Sequence, residues 1–327
     1  RYTFNPNVIG NGKKGIISGA GFHTETEEIV PASAELIWQS KTDLITDVAY
    51  RAYEGDVVFT TNGEEGNAVI AVKDGSGAII WSWHIWCTDK PSDQRYVNRS
   101  GESFMVMDRN LGATRADRGT GDQWKEAIGT GYQWGRKDPI VQNHYEVSDT
   151  ESTIENSISH PNTYYTADNG WMEPMVREAW SPNVKTIYDP CPAGYRVATK
   201  DIWTNFIIDN SYYYTYDYSQ FNIIGEYNNG FDFVIDGTNS SYYPATMHGW
   251  WSTEIYPNLG RYWSANSVNE TDHKRGSALN FDINESYLSV DLYWNIGALK
   301  CVRCIKISER ETEGGNEGIT EEDQYEW

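Results

Sequence analysis

Two short clusters have residue types suited to acid–base chemistry: Asp108-Arg109-Asn110 and Arg136-Lys137-Asp138. Such chemistry needs a carboxylate or imidazole tuned toward the working pH, with a nucleophile or substrate proton in reach. No nucleophile–base word, phosphate loop or histidine-rich metal word accompanies either cluster. Arginine holds carboxylates in a rigid two-pronged geometry, so a buried Asp–Arg network that fixes loops is the expected role. Glu270 and Asp272 form a third carboxylate pair, but their polar surroundings offer nothing to raise a pKa. The expectation is a protein that is not an enzyme.

Cys301-x-x-Cys304 raises zinc binding or redox exchange. Zinc would want a second pair or spaced histidines, and His23, His84, His144, His160, His248 and His273 show no ligand spacing. A redox pair needs a following helix, whereas Val302–Ile307 reads as a strand. No metal or cofactor is expected. On a strand, positions 301 and 304 face opposite sides, so each seeks its own partner. With Cys87 and Cys191 the chain has four cysteines and three possible connectivities. Disulfides would place the protein outside the reducing cytosol.

Aromatic residues make up 14% of the chain, and they fall in two informative places. In Trp81-Ser82-Trp83-His84-Ile85-Trp86, alternation puts Trp81 and Trp83 on one face and His84 and Trp86 on the other. A strand packed on both sides where two domains meet is expected, with His84 a hydrogen-bonded interior residue. Further on, Tyr242, Tyr243, His248, Trp250, Trp251, Tyr256, Asn258, Arg261 and Tyr262 gather in a Gly-rich stretch. Rigid aromatics beside Asn and Arg suit stacking on sugar rings or docking a partner, and suit equally a small satellite core.

These residues need elements to hold them. Between Ala34 and Trp86, short apolar runs alternate with Asn62-Gly63, Asp74-Gly75 and Ser76-Gly77, the punctuation of antiparallel hairpins. The pattern predicts a β-sandwich over residues 1–95. Residues 96–307 mix strands with irregular loops, among them 141–185 and 222–251. One short helix is predicted from Lys200, capped by Thr199. The fold class is mainly β with short helices, an α+β chain. Residues 308–327 are an acidic tail whose composition predicts solvation. Arg1-Tyr2-Thr3-Phe4 reads as a strand under way rather than a signal peptide, which predicts a segment removed upstream. A net charge of −21 argues against nucleic acid as partner, since phosphate contacts need clustered Lys and Arg. No apolar stretch approaches the ~20 residues of a membrane span, so no membrane insertion is expected.

Longer words carry a family resemblance. Gly66–Val72, Trp81–Trp86 and Met107-Asp108-Arg109-Asn110-Leu111-Gly112-Ala113 come first. Tyr132-Gln133-Trp134-Gly135-Arg136-Lys137-Asp138-Pro139 and Asp189-Pro190-Cys191-Pro192-Ala193-Gly194-Tyr195-Arg196-Val197 follow, then Tyr262-Trp263-Ser264 and Val302-Arg303-Cys304-Ile305-Lys306. In this order, over residues 1–307, they resemble Bacteroidetes surface proteins in which a fimbrillin-like β-module leads into a Fibrobacter succinogenes major paralogous domain. The resemblance implies a C-type-lectin-like domain over 96–307 with a Cys191–Cys304 disulfide, which leaves Cys87 and Cys301 to pair and staple the domains. It implies an extracytoplasmic, outer-surface location, lipid-anchored or fimbrial, and ligand recognition through long loops that here hold Tyr243, His248, Trp250, Trp251, Tyr256, Asn258, Arg261 and Tyr262. The expected function is an adhesin-type protein that binds glycan or a host surface protein. The alternative is a structural or tip subunit whose aromatic surface joins other pilus subunits. Two departures matter: Glu173-Pro174-Met175 lacks the third oxygen ligand of a lectin calcium word, and the reactive cysteine pair of formylglycine-generating enzymes, which share the broad fold, has no counterpart.

Overall fold

A computed structural model describes residues 1–7, 9, 29–246, 253–268 and 274–307. The chain is mainly β with a few short helices, in several sheets. The acidic tail, His248, Trp250, Trp251, Glu270 and Asp272 lie outside the described residues.

Two three-stranded antiparallel sheets come first. One orders Tyr2–Phe4, Asp56–Thr61 and Ile45–Arg51; the other orders Ser33–Gln39, Gly66–Lys73 and Ile79–Cys87. The run Ala68-Val69-Ile70-Ala71-Val72 is fully buried on both faces, as expected of a small and β-branched run in a central strand. Its hairpin to Ile79–Cys87 turns on Asp74, whose Oδ1 accepts from the Ser76 and Ala78 amides, with Gly77 at φ +89°. Ile45, Val57 and Phe59 of the first sheet share a core with Ile70 and Val72 of the second. That core continues without a break into Trp134, Trp171 and Trp180.

The second region is organised by one nine-stranded sheet. Its path runs Tyr214–Thr215, Tyr287–Asn295, Arg275–Asp282, Leu259–Ser267, Leu299–Lys306, Ser103–Asn110 and Asp93–Val97; Tyr195–Val197 and Tyr132–Gln133 add onto Leu299–Lys306. The closing strand Leu299–Lys306 is therefore central. It pairs in parallel with Leu259–Ser267 and antiparallel with the other three. Val302 and Cys304 enter the core with Trp263 and Trp134, while Cys301 and Ile305 enter a second core with Tyr262, Phe281 and Leu288. Strand alternation thus sends Cys301 and Cys304 to opposite faces, as predicted.

Cys304 bridges to Cys191. The Cys87–Cys301 pair predicted beside it does not form, because Cys301 lies in the second core and its thiol donates to the Ile128 carbonyl at 3.1 Å, whereas Cys87 packs against the first core at the end of its own strand. The helix at Lys200–Phe206 is a 3₁₀ helix, and Thr199 holds the cap position without a capping bond from its side chain. Residues 222–244, expected to be irregular, form a sheet of Ile223–Tyr227, Gly230–Val234 and Ser240–Pro244. Its first turn needs only Asn228 and Asn229, and Phe231 and Phe233 alternate with it, Phe233 stacking on Phe206 and meeting Tyr243 edge-on.

Candidate functional site

The charged clusters are internal scaffolding, but they are built differently from each other. Arg109 pairs with Asp108 at 2.9 Å and Asp89 at 2.5 Å, the carboxylate network expected. Arg136 does otherwise: it donates to the carbonyls of Thr163, His160 and Pro161 and lies over Tyr165 and Trp171. It thereby fixes the long polar segment after residue 141 by its backbone. Lys137 pairs with Asp138 at 2.8 Å and donates to the Ser82 carbonyl at 3.0 Å, while Ser82 Oγ donates to Asp138 at 2.6 Å. Serine, lysine and aspartate here form a buried pin between the first sheets and the second region.

His84 belongs to the same junction. Its Nε2 lies 2.9 Å from Asn67 Oδ1 and its Nδ1 lies 3.1 Å from Tyr132 OH, both compatible with a neutral ring. Burial pulls its pKa down to about 3. An unfolded histidine titrates near ~6.5, so below that pH the unfolded chain binds a proton that the folded chain refuses. The stability contributed is complete above about pH 6.5 and is lost as the pH falls toward 3. Between pH 7 and pH 5 the wild type should lose about 1–2 kcal/mol more than His84→Gln in urea titrations. Equal losses would show that the folded ring protonates as easily as the unfolded one.

The predicted binding face divides. Tyr243 and Tyr262 are fully buried. Tyr243 OH receives the Trp203 Nε1–H and meets Tyr96 OH, each at 3.1 Å, and Tyr262 OH donates to the Pro244 carbonyl. These two are core residues with satisfied hydroxyls, a correction to the surface role expected. Arg261 is also buried, stacked on Trp294. Asn258 is half-buried and donates to Asp282 at 3.1 Å. Tyr256 is exposed, and its hydroxyl donates to Glu254 at 3.0 Å.

Tyr256 lines a groove of about 710 Å³ with Glu254, Trp124, Gln142, Asn228 and Asn229. The 3₁₀ helix Gly121–Ala127 supplies Trp124, and the two-residue turn at Asn228 and Asn229 supplies the amides. An aromatic ring, a carboxylate and carboxamides around one open groove can stack on the C–H face of a sugar and bond its hydroxyls. Reading residue types alone misses Trp124, Gln142 and the two asparagines, which come from three distant stretches.

A second exposed surface has a clearer local signal. Tyr212, Tyr213, Tyr214 and Tyr216 are each more than half exposed. Arg99 props their loop by donating to the Asn210 and Tyr212 carbonyls at 2.8 and 3.0 Å. Tyr214 and Thr215 form an edge of the large sheet, and Tyr216 meets Tyr287. Glu173 and Glu151 both pair with Lys274, at 2.5 and 2.7 Å. Among the described residues, no three His, Cys, Asp or Glu side chains converge as metal ligands, and no helix is long and apolar enough to cross a membrane. Comparison with protein-family models, curated proteins and solved structures finds no match.

Proposed function

We propose that this chain is an adhesin-type binding protein of an outer cell surface that recognises glycan through the groove around Tyr256. The groove itself carries the reading, since it joins an exposed ring to Glu254, Gln142, Asn228 and Asn229 on one concave surface. The Cys191–Cys304 bridge fits an oxidising, extracytoplasmic location. The resemblance of its sequence words to those of Bacteroidetes fimbrillin-like and major paralogous domain proteins supports the same setting. A second reading, a pilus subunit, is favoured by the exposed tyrosines at 212–216, on and beside the edge strand Tyr214–Thr215, an aromatic surface of the kind that assembly interfaces use.

A glycan-array and mucin-binding screen of the wild type beside a Tyr256→Ala/Glu254→Gln variant tests the groove. Losing one stacking ring and one charge-assisted hydrogen bond should weaken binding by about tenfold or more. Saturable binding that the variant retains in full would move the site elsewhere. Absence of sugar binding, with ladders forming in the purified protein, would favour the pilus reading.

A further inference from the structure

The parallel strands Leu259–Ser267 and Leu299–Lys306 place Tyr262 beside Cys301 and Trp263 beside Val302. One residue earlier on each strand stand Arg261 and Lys300, so two cations occupy neighbouring positions on one face of the sheet. Arg261 is 8% exposed and Lys300 1%. Both lie against one ring: Arg261 Cζ is 4.3 Å, and Lys300 Nζ 4.2 Å, from the centre of Trp294. Lys300 Nζ is also 4.9 Å from the centre of Trp263.

Among the described residues neither cation has an anionic partner. Neither side chain forms an ion pair or donates a hydrogen bond there, and Arg261 Nε is buried with no acceptor. Asp282 reaches Arg261 only through its field, and accepts from Asn258 instead. Other buried cations are treated differently: Lys137 has Asp138, Lys185 has Asp189, and Arg136 and Arg303 are surrounded by carbonyls. Asn280 pairs with Arg261 across the sheet, is 4% exposed, and has a side-chain oxygen with no hydrogen-bond partner. Two buried polar atoms without a hydrogen-bond partner, Arg261 Nε and Asn280 Oδ1, therefore share one place with the Lys300 ammonium.

An aromatic face can compensate a desolvated cation, but here two cations draw on the same indole and repel each other. Burial draws Arg261 down to about 10 and, with Arg261 adding to the effect, Lys300 well below its usual value. One negative group would relieve both. The guanidinium offers a fork matched to two oxygens, the ammonium a point charge, and the indoles a dry wall. Asn280, turned about its last bond, adds an N–H.

We propose that Arg261 and Lys300 form a binding site for an oxyanion, a carboxylate or sulfate, with Trp294 and Trp263 as its walls. The oxyanion is either free in solution or borne by an acidic sugar. The site shares no residue with the groove around Tyr256, so it stands whether or not that groove binds glycan.

Two measurements test it. Wild-type crystals soaked in selenate should show an anomalous peak bounded by Arg261 and Lys300. Thermal unfolding in sulfate, glucuronate, glucose and chloride at matched ionic strength should show a specific rise of about 2–4 °C at tenfold saturation. Arg261→Met and Lys300→Met should lose that rise while keeping the apolar stems that pack on the indoles. A rise with glucuronate above that with sulfate, and none with glucose, assigns an acidic sugar; a rise with sulfate alone assigns a free anion. A soaked wild-type crystal with no selenate between the two cations overturns the proposal, however the variants fold.

Discussion

Replacing both bridged cysteines, Cys191→Ala with Cys304→Ala, is expected to destabilise the protein by about 2–5 kcal/mol. The bridge closes a sequence separation of 113 residues, and in the chain-entropy account a loop of about 100 residues contributes ~4.7 kcal/mol. It also fastens the loop that precedes Tyr195–Val197 to the strand with which that segment pairs. Cys191 sits in a loop held by Asp189, whose carboxylate accepts from the Cys191 amide at 2.9 Å, the Val197 amide at 2.8 Å and Lys185 at 2.8 Å. Cys304 lies on the central strand. Guanidinium titrations of the two proteins give the difference directly. A variant with an unchanged midpoint would mean that the Asp189 network alone holds this loop.

Arg303→Met should be at least as damaging, by about 3–5 kcal/mol. The Arg303 guanidinium donates to Asn110 Oδ1 at 2.9 Å, the Met107 carbonyl and Ser241 Oγ at 3.2 Å, and the Tyr242 carbonyl at 3.0 Å. It also lies 4.3 Å from the centre of Tyr243. One side chain thus ties Ser103–Asn110 and Ser240–Pro244 to the closing strand. Methionine fills much of the volume but strands four acceptors in a dry core. Arg303→Lys should recover less than half of the loss, because an ammonium on a flexible stem cannot serve acceptors on three sides at once. Full recovery by lysine in urea titrations would show that charge, rather than the fork, is what the site uses.

Much of the strand pattern is legible in the residues themselves. The stretch 68–72 reads as a buried strand because five apolar residues stand in a row between turn signals, and that is its environment. The opposite facing of Cys301 and Cys304 follows from period two alone. The Cys191–Cys304 pairing is what the resemblance of whole words implies, and it forms. Tyr243 and Tyr262 escape a reading by residue type for a physical reason: tyrosine is equally at home on a surface or in a core that can satisfy its hydroxyl, and here Trp203, Tyr96 and Pro244 do so. Their acceptors and donors lie 18 to 147 positions away, beyond any local pattern. Arg136 is hidden likewise, because its acceptors are carbonyls and carbonyls have no signature in residue types. The run at 212–216 is the opposite case. Consecutive tyrosines on an extended chain point alternately to both sides, so a single core cannot take them all.

The central place of Leu299–Lys306 has a consequence for how the chain is made. Four segments, Ser103–Asn110, Tyr132–Gln133, Tyr195–Val197 and Leu259–Ser267, have this one strand as their common neighbour, and it follows all of them in sequence. A polypeptide emerging from a ribosome or a translocon in sequence order has to keep these four waiting. Their apolar faces stay open, and the aggregation hazard persists, until an eight-residue strand arrives to close the sheet in a single distant-contact event. The slow step of biogenesis is then the arrival of this strand rather than the assembly of any one hairpin.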